Sequence, residues 1–411
     1  MGVPAGVRAA EALEAVHPYN AKISALVGSA EAGTIEPPAL TLHISICTSE
    51  AKARSGVCCT KRSINIVRTG ETYMHVARVA VTGAGGFIGH HLTRYLVEKG
   101  YWVRGVDVKR PEYEETPAHE FLELDLRDKA SCEEATSGVD EVYALAANMG
   151  GIGFIETHKA VIVRDNTLIN LQTIEASRQN RVKRYLYTSS ACIYPGYLQK
   201  SADVTPLREQ DAYPADAEDG YGWEKLYMER VCRHYQEDFG LDTRVVRFHN
   251  IFGPLGTYAG GREKSPAAIC RKIALAKDGE AIEVWGDGEQ TRSYCYIDDC
   301  VEGIYRLMRS NYSEPLNLGQ DRMVSINELV DMVALVAGKS VSKTYDLTKP
   351  QGVRGRNSDN SRLRQILGWE PVISLEQGLR STYAWIYQQL ERSGSLPIPR
   401  QPEPAAIAVS A

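Results

Sequence analysis

The chain has 411 residues, of which 43% are hydrophobic and 24% charged, and its formal net charge at pH 7 is -5. These values are ordinary for a globular protein with a large core, and the acidic balance argues against a broad nucleic-acid-binding surface. No run of 18 apolar residues is present, so the sequence predicts no membrane span. The nine cysteines form no Cys-x-x-Cys pair, which indicates free thiols in a reducing compartment rather than a zinc or redox motif.

The N-terminal segment differs from the rest of the chain. Residues 1–73 have weak periodicity, scattered small residues and a Pro-Pro pair. We expect this segment to be disordered, or not translated if synthesis starts at Met74, with a targeting peptide as the rival interpretation. It lacks an apolar central region and carries acidic residues, which makes it a poor secretory or transit signal, so we expect a cytoplasmic protein. The Pro- and Ala-rich tail over residues 395–411 is also expected to be disordered.

From Met74 onward, short apolar strands alternate with helical stretches. The Val-rich "ARVAVTG" ends at a glycine, and "HHLTRYLVEKG" follows with apolar residues at helical spacing. The alternation continues through "YWVRGVDV", "DEVYALAA" and "VKRYLYTSS" to "LDTRVVRFHNIFGP". This pattern predicts an α/β fold, a Rossmann-type doubly wound parallel sheet over residues 74–255. Glycine-rich turns, short strands such as "EPLNLG" and further helices predict a smaller α/β C-terminal substrate-binding lobe over residues 256–394, with some crossing of the chain between the two.

The first strand and helix carry a glycine pattern typical of a dinucleotide-binding turn. "VTGAGGFIG" places Gly83, Gly86 and Gly89 between a predicted strand and a predicted helix. Gly83 would permit the tight turn, Gly86 the approach of a pyrophosphate, and Gly89 close packing of helix on strand. The helix N-terminus would attract the phosphates, and Phe87 and Ile88, which lie between the last two glycines, belong to the same predicted cofactor site.

Two carboxylates are candidates for the adenosine end of that cofactor. Asp107 ends the second strand, where it would accept hydrogen bonds from ribose hydroxyls and repel a 2′-phosphate, which favours NAD over NADP. Lys109 and Arg110 follow directly and weaken this preference. Asp125, in "LELDLRD", is placed for the adenine. The alternative for both aspartates is turn formation at a strand end.

A tyrosine and a lysine in "GYGWEK" form a candidate catalytic pair. Tyr221 and Lys225 are four residues apart on a predicted helix and therefore share one face. A lysine ammonium near a phenol favours the phenolate, which can take a proton from a sugar hydroxyl. Ser190, at the end of a strand, could share that proton. On an isolated helix this spacing is usually a surface feature, but after a dinucleotide-binding fold it predicts catalysis.

Together these features resemble the extended short-chain dehydrogenases/reductases that act on nucleotide sugars, over roughly residues 75–392. More narrowly, "NMGGIGFIETH", "SSACIYP", "RFHNIFGP", "GGREKSPAAICRK", "WGDGEQTRS" and "GVRGRNSDN" resemble the GDP-mannose 3,5-epimerase family. The resemblance implies transient oxidation of C4 by NAD, proton exchange at C3 and C5, and re-reduction, which converts GDP-mannose to GDP-L-galactose. It also implies L-ascorbate biosynthesis and a homodimer formed by the two long helices. Another nucleotide base, and another activity such as a UDP-sugar 4-epimerase, stay open as alternatives.

The resemblance assigns proton exchange to Cys192 and Lys264. Relatives with a hydroxyl residue at the Cys192 position need only a hydrogen bond there, whereas a thiol, with a reference pKa of about 8.5, adds an acid or base. Lys264 occupies the position of the second catalytic group in the resembled family. The alternatives are a small buried side chain for Cys192, and a phosphate contact or a solvated charge for Lys264.

Further residues are placed against the nucleotide sugar. Gly150 and Gly151 have no side chains, so sugar hydroxyls could approach the backbone there. Arg356 fits a diphosphate, because guanidinium donors match phosphate oxygens in pairs, and Arg354 is the competing candidate. We expect His249 to be a satisfied core or loop histidine and expect no metal site. The full set of predicted substrate contacts is Gly150, Ser190, Ala191, Cys192, Asn250, Glu263, Lys264, Ser265, Lys272, Gln290, Thr291, Arg292 and Arg356.

Overall fold

The computed structural model describes residues 66–69 and 72–396. The strands are β1 Ile66–Thr69, β2 Thr72–His75, β3 Arg78–Thr82, β4 Trp102–Asp107, β5 Glu120–Glu123, β6 Glu141–Ala144, β7 Arg184–Ser190, β8 Asp242–Phe248, β9 Ile251–Phe252, β10 Ala281–Trp285, β11 Thr291–Ser293, β12 Cys295–Tyr296, β13 Leu316–Leu318, β14 Met323–Ser325, β15 Ser342–Asp346 and β16 Gly355–Arg356. The helices are α1 Phe87–Glu98, α2 Lys129–Thr136, α3 Ile152–Thr157, α4 Lys159–Gln179, α5 Asp219–Phe239, α6 Ser265–Leu275, α7 Ile297–Arg309, α8 Ile326–Ala337, α9 Ser361–Leu367 and α10 Leu375–Arg392.

The sequence predicts disorder at both ends of the chain, and only a small part of each end lies within the described residues. Strands β1 and β2 pair as an antiparallel hairpin, whereas the sequence predicts no structure before Met74. The other predictions for the N-terminal segment, and those for the tail after Leu396, lie outside the described residues. No described helix combines the length and apolarity that crossing a bilayer requires.

The predicted Rossmann-type sheet is confirmed. Seven parallel strands lie in the order β13-β8-β7-β6-β3-β4-β5. Their central strands are almost entirely buried, as expected for short apolar runs covered by helices on both faces. The strand order reverses between β3 and β6, and in such sheets ligands bind outside the carboxyl ends of the strands at this point.

The C-terminal part of the chain is less regular and is interleaved with the sheet. Its short strands form a three-stranded group, β14-β11-β16, and the pairs β10-β15 and β9-β12. Strand β13 comes from the range predicted as the second lobe, yet it pairs with β8 at one edge of the central sheet. One continuous cluster of buried apolar side chains, from Val79 and Leu92 to Leu329 and Ile386, joins the two parts.

A buried ion pair fixes helix α5 on the central sheet. Arg247, near the end of β8, donates to both carboxylate oxygens of Glu229 on α5, at 2.9 and 2.7 Å. The Ser189 hydroxyl, on β7, donates to Glu229 at 2.5 Å. Both charged side chains are about 3% exposed. The interaction therefore positions the helix that carries Tyr221 and Lys225.

We expect Glu229→Ala to destabilise the protein severely. The substitution leaves the Arg247 guanidinium buried and uncompensated, which typically costs about 3–5 kcal/mol of unfolding free energy. Urea unfolding followed by circular dichroism measures the change. Glu237→Ala on the same helix is the matched control, because Glu237 pairs with Arg233 on the surface and its removal should leave the midpoint unchanged. Equal midpoints for the two variants would contradict the role given to the buried pair.

Candidate active site

A cavity of about 500 Å³ lies at the carboxyl ends of β7 and β8, beside the loops that precede α3 and α6. It brings together most of the residues that the sequence predicts for catalysis and substrate contact. Those that line it are Ile88, Gly150, Ser190, Ala191, Cys192, Tyr221, Asn250, Glu263, Lys264, Ser265, Lys272, Gln290, Arg292 and Arg356. Lys225 and Thr291 are absent from the cavity wall.

Ser190, Tyr221 and Lys225 form one contiguous group. The Ser190 hydroxyl is within hydrogen-bonding reach of the Tyr221 phenol. The Lys225 ammonium donates to the Thr188 carbonyl at 3.1 Å and lies 5.6 Å from the centre of the Tyr221 ring. Burial raises the pKa of Tyr221 well above its usual value, and the Ser190 hydrogen bond lowers it less. In this structure the effect of burial thus outweighs the phenolate-favouring effect expected from Lys225, whose own pKa burial lowers.

The backbone of Cys192 is hydrogen-bonded to Ser190 and to Glu218, the residue that precedes helix α5. Its N–H donates to Ser190 Oγ at 3.2 Å, and its carbonyl accepts the Glu218 N–H at 2.9 Å. A Cβ at Gly222 would lie 2.3 Å from this carbonyl oxygen, so only glycine lets the helix begin so close. Sequence reasoning missed both Glu218 and Gly222. The second glycine of "GYGWEK", inside a predicted helix, was the available signal.

Lys264 lines the same cavity as Cys192 and immediately precedes α6. The Lys264 side chain is exposed to the water in the cavity. Burial lowers the pKa of Lys264, and the nearby Cys192 and Cys300 oppose this change. An amine whose pKa is closer to neutrality exchanges protons more readily with a substrate carbon. The cavity therefore holds two side chains, Cys192 and Lys264, whose chemistry allows proton transfer.

In the structure, the two adjacent glycines of "NMGGIG" are needed for a different purpose from the approach of sugar hydroxyls that the sequence suggests. A Cβ at Gly151 would lie 2.5 Å from the Glu263 carbonyl oxygen, and a Cβ at Gly150 would lie 2.9 Å from the Phe154 side chain. The Gly151 N–H also donates to the Arg262 carbonyl at 3.0 Å. Both glycines line the cavity, but what they permit in this structure is close packing of protein against protein.

The arginines near the cavity differ in their partners. Strands β11 and β16 pair in parallel with Arg292 opposite Arg356. Arg356 is ion-paired with Glu218, whereas Arg292 donates to backbone carbonyls and has no carboxylate partner among the described residues. Arg354 lies outside the cavity wall and makes a two-point ion pair with Asp287 at 2.7 and 2.9 Å. The structure therefore favours Arg292, rather than Arg356 or Arg354, as the guanidinium that is free to bind an anion.

The remaining predicted contacts are placed as follows. Lys272 donates to the Glu283 carbonyl at 2.7 Å, and Asn250 donates to the Ser293 carbonyl at 2.9 Å. Thr291 is turned away from the cavity and its hydroxyl donates to the Ala202 carbonyl, because it points to the opposite side of β11 from Arg292. Outside the cavity wall, His249 is fully buried and hydrogen-bonded to Asn317, and burial lowers its pKa to about 4. It is a core histidine, as the sequence suggested, but only its Nε2 is satisfied, since its buried Nδ1 has no hydrogen-bond partner among the described residues.

The glycine turn has the geometry required by a dinucleotide. Gly83 has a φ of 73°, and a Cβ at Gly89 would lie 2.0 Å from the Gly83 carbonyl oxygen. Gly86 caps α1 without a side-chain hydrogen bond, which leaves the amides of the helix N-terminus available to a phosphate. Sequence reasoning missed Gly85, where a Cβ would lie 2.1 Å from the Lys109 carbonyl oxygen.

The two carboxylates predicted to contact the adenosine differ in how far protein groups already occupy their oxygen atoms. Asp107 accepts the N–H groups of Gly85 and Lys109 at 3.0 and 3.3 Å and retains further acceptor capacity for ribose hydroxyls. Burial raises the pKa of Asp107. Asp125 is held by Arg127 in a two-point ion pair, and this contact lowers the pKa of Asp125. The glycine turn, the helix N-terminus and Asp107 together fit NAD.

We expect Gly89→Ala to destabilise the protein and to weaken its retention of NAD. The new methyl group must push α1 away from the Gly83 carbonyl, and overpacking of this kind costs about 1–3 kcal/mol. Thermal unfolding and the NAD content of the purified protein measure the two effects. Gly196→Ala is the control, because nothing lies within 4 Å of the added carbon. A Gly89→Ala variant with normal stability and NAD content would show that the close packing is unnecessary.

Comparison with known proteins agrees with this site. Residues 79–319 match the NAD dependent epimerase/dehydratase family, and the chain belongs to this family. Within it, the chain is 49% identical to "GDP-mannose 3,5-epimerase 1" of Oryza sativa subsp. japonica and 48% identical to "GDP-mannose 3,5-epimerase" of Arabidopsis thaliana, in both cases over 77% of this chain and 83% of the relative. The resemblance found in the sequence is thus confirmed.

Solved structures support the same fold. The UDP-glucose 4-epimerase of Thermotoga maritima, solved with UDP-glucose, is 26% identical, with a TM-score of 0.69 over 76% of this chain and 99% of that chain. The UDP-glucose 4-epimerase of Thermus thermophilus, solved with NAD, is 24% identical with a TM-score of 0.66 over 75% of this chain and 98% of that chain, and shows the fold alone.

Proposed function

We propose that the chain is an NAD-dependent epimerase that converts GDP-mannose to GDP-L-galactose. The observation that carries this proposal is that Cys192 and Lys264 line the same cavity as Tyr221. A sugar 4-epimerase needs only NAD and the tyrosine that exchanges the C4 hydroxyl proton. Inversion at C3 and C5 also needs a base and an acid that act on carbon-bound hydrogens. Identity of 48–49% to the GDP-mannose 3,5-epimerases of two plants supports the same substrate.

The residues of the chain divide the reaction between them. When bound at the N-terminus of α1, NAD supplies reversible oxidation of the C4 hydroxyl. For this step Tyr221 must be a phenolate, which the Lys225 ammonium favours and burial opposes. As the phenolate it takes the proton of that hydroxyl, shares it with Ser190, and returns it when the ketone is reduced. The C4 ketone makes the hydrogens on C3 and C5 acidic, because each is then α to a carbonyl. Cys192 and Lys264 remove and return these protons from opposite sides, and groups of this kind typically contribute about 10²–10⁴-fold.

The diphosphate is held by cations in the same cavity. Arg292 has a partly buried guanidinium without a carboxylate partner among the described residues, and this donor set matches phosphate oxygens. Lys272, also on the cavity wall, carries a second positive charge, which its ion pair with Glu283 at 3.4 Å partly neutralises.

We also propose that two copies pair through the long helices α4 and α5. Large apolar side chains on these helices are exposed, among them Trp223 and Tyr227 on α5 and Val161 and Leu168 on α4. Exposed apolar surface of this kind is typical of an interface between subunits. Light scattering should give the mass of a dimer for the purified protein, and Trp223→Arg should shift it toward the monomer. A wild-type protein that is monomeric at micromolar concentration would contradict this assignment.

The test of the proposed activity is product analysis. Purified protein is incubated with GDP-mannose and, separately, with UDP-glucose, and the products are separated by chromatography and identified by NMR. We expect GDP-L-galactose from the first incubation and no change in the second. Conversion of UDP-glucose to its C4 epimer, with GDP-mannose unaltered, would replace this proposal with a UDP-sugar 4-epimerase.

A further inference from the structure

The loop over residues 109–114 lies directly on the glycine turn of the cofactor site. A Cβ at Gly85 would lie 2.1 Å from the Lys109 carbonyl oxygen. The Asp107 carboxylate accepts N–H groups from both sides of this contact, from Gly85 at 3.0 Å and from Lys109 at 3.3 Å. The loop and the turn also share the wall of a small cavity of about 40 Å³. A cofactor held by the turn and by Asp107 therefore borders this loop.

An aromatic side chain anchors the loop to the C-terminal part of the chain. The Tyr113 ring meets the Trp385 ring edge to face, with the ring centres 4.9 Å apart, and its centre lies 6.0 Å from that of Tyr258. The rings of Tyr258 and Trp385 contact each other, with their centres 5.5 Å apart. Trp385 lies on α10, whose Leu379 and Ile386 are fully buried in the large apolar cluster. Tyr113 thus ties a loop at the cofactor site to a helix that is fixed in the core.

A second anchor of the loop is electrostatic. Glu114 is ion-paired with Arg94 on α1, and its carboxylate lies 3.5 Å from His90 Nε2 on the same helix. Because Glu114 and Arg94 are both exposed to solvent, this pair contributes little to holding the loop. Aromatic pairs in edge-to-face geometry add to the free energy gained by burying their area. The contacts of Tyr113 are therefore the stronger of the two anchors.

Retention of the cofactor matters for the chemistry of the family. An NAD-dependent epimerase ends each cycle with its cofactor in the starting oxidation state. Release of the cofactor between the two redox steps would leave a ketone that is not reduced again. Loops that close beside a bound group commonly set the rate at which that group is released.

We propose that Tyr113 is a positioning residue that holds the 109–114 loop against the glycine turn and thereby slows the release of NAD. Tyr113 acts through the contacts of its ring with Trp385 and Tyr258 and not through its hydroxyl. The inference rests on the use of NAD by this chain and is independent of which sugar nucleotide is the substrate.

The test measures the dissociation of NAD from the purified, NAD-bound protein without substrate. Released NAD is reduced by excess alcohol dehydrogenase and ethanol, and the absorbance of the reduced form gives the dissociation rate. We expect Tyr113→Ala to raise this rate roughly tenfold, since loss of two aromatic pairs weakens the closed position of the loop by about this factor. Tyr113→Phe keeps the ring and should release NAD at the wild-type rate.

Two further variants separate anchoring of the loop from other effects. Trp385 lies outside the wall of the small cavity, so Trp385→Leu should accelerate release only by freeing Tyr113, and we expect most of the effect of Tyr113→Ala. Tyr387→Ala is the matched control, because it removes an exposed ring from the same helix, and it should leave the rate unchanged. Circular dichroism establishes that each variant is folded. If Trp385→Leu does not fold, Tyr258→Leu takes its place, since Tyr258 is also outside the cavity wall.

A wild-type dissociation rate in Tyr113→Ala would overturn the inference, as would an equal acceleration in Tyr387→Ala. Acceleration in Tyr113→Ala with normal release from Trp385→Leu would overturn it too, because Tyr113 would then act by touching NAD itself. Release from Tyr113→Phe as fast as from Tyr113→Ala would show that the hydroxyl and not the ring is responsible. A chain that leaves GDP-mannose unaltered but shows the expected rates would refute the proposed function while supporting the role of Tyr113.

Discussion

Tyr221→Phe is expected to abolish every step of the reaction. Without the phenolic hydroxyl, no group takes the C4 proton, so no ketone forms and the C3 and C5 hydrogens stay non-acidic. Loss of one general acid/base group costs about 10²–10⁴-fold. The phenyl ring fills the same buried space, so the fold should be retained. The measurement is the absorbance of reduced NAD and the formation of epimer after addition of GDP-mannose to the NAD-bound enzyme.

The matched control for this variant is Tyr227→Phe. Tyr227 lies on the same helix but is half-exposed, and its hydroxyl has no place in the cavity. We expect this control to keep both NAD reduction and product formation near wild-type levels. Substantial epimer formation by a correctly folded Tyr221→Phe variant would mean that another group takes the C4 proton.

Cys192→Ala is expected to separate oxidation from proton exchange. The variant keeps Ser190, Tyr221 and Lys225, so GDP-mannose should still reduce bound NAD. It lacks one of the two groups that act at carbon, so formation of the epimer should fall by about 10²–10⁴-fold. The readouts are the absorbance of reduced NAD and the ratio of epimer to starting material by NMR.

Cys192→Ser distinguishes proton transfer from packing at this position. A hydroxyl is close in size to a thiol and can accept the Arg356 hydrogen bond, but it does not ionise near neutral pH. We therefore expect Cys192→Ser to be as defective in epimerisation as Cys192→Ala. Normal epimerisation by either variant would show that Cys192 is only a small side chain in the cavity wall.

The sequence predicts those parts of the structure that depend on local patterns. Short apolar runs give the parallel sheet, and the spacing of Gly83, Gly86 and Gly89 gives the cofactor turn, because both depend on residues close together in the chain. The spacing of Tyr221 and Lys225 gives a shared helix face for the same reason.

The sequence does not predict contacts between distant segments. Arg356 and Cys192 are 164 residues apart, and only the folded chain shows that one donates to the other. The close approaches that require Gly85 and Gly151 likewise involve backbone from other loops. Strand β13 follows the range assigned to the sheet by about sixty residues, and its pairing with β8 depends on packing that periodicity does not encode. The side of β11 on which Thr291 points depends on a register that a three-residue strand does not reveal.

Exchange of carbon-bound hydrogen with solvent tests the central claim most directly. The NAD-bound enzyme is incubated with GDP-mannose in heavy water, and the hexose is analysed by NMR and mass spectrometry. We expect deuterium at C3 and C5, with none at C4, because reversible oxidation by bound NAD would not exchange the C4 hydrogen with solvent. GDP-mannose that remains free of deuterium at both C3 and C5, with Cys192 and Lys264 intact, would contradict the proposed chemistry.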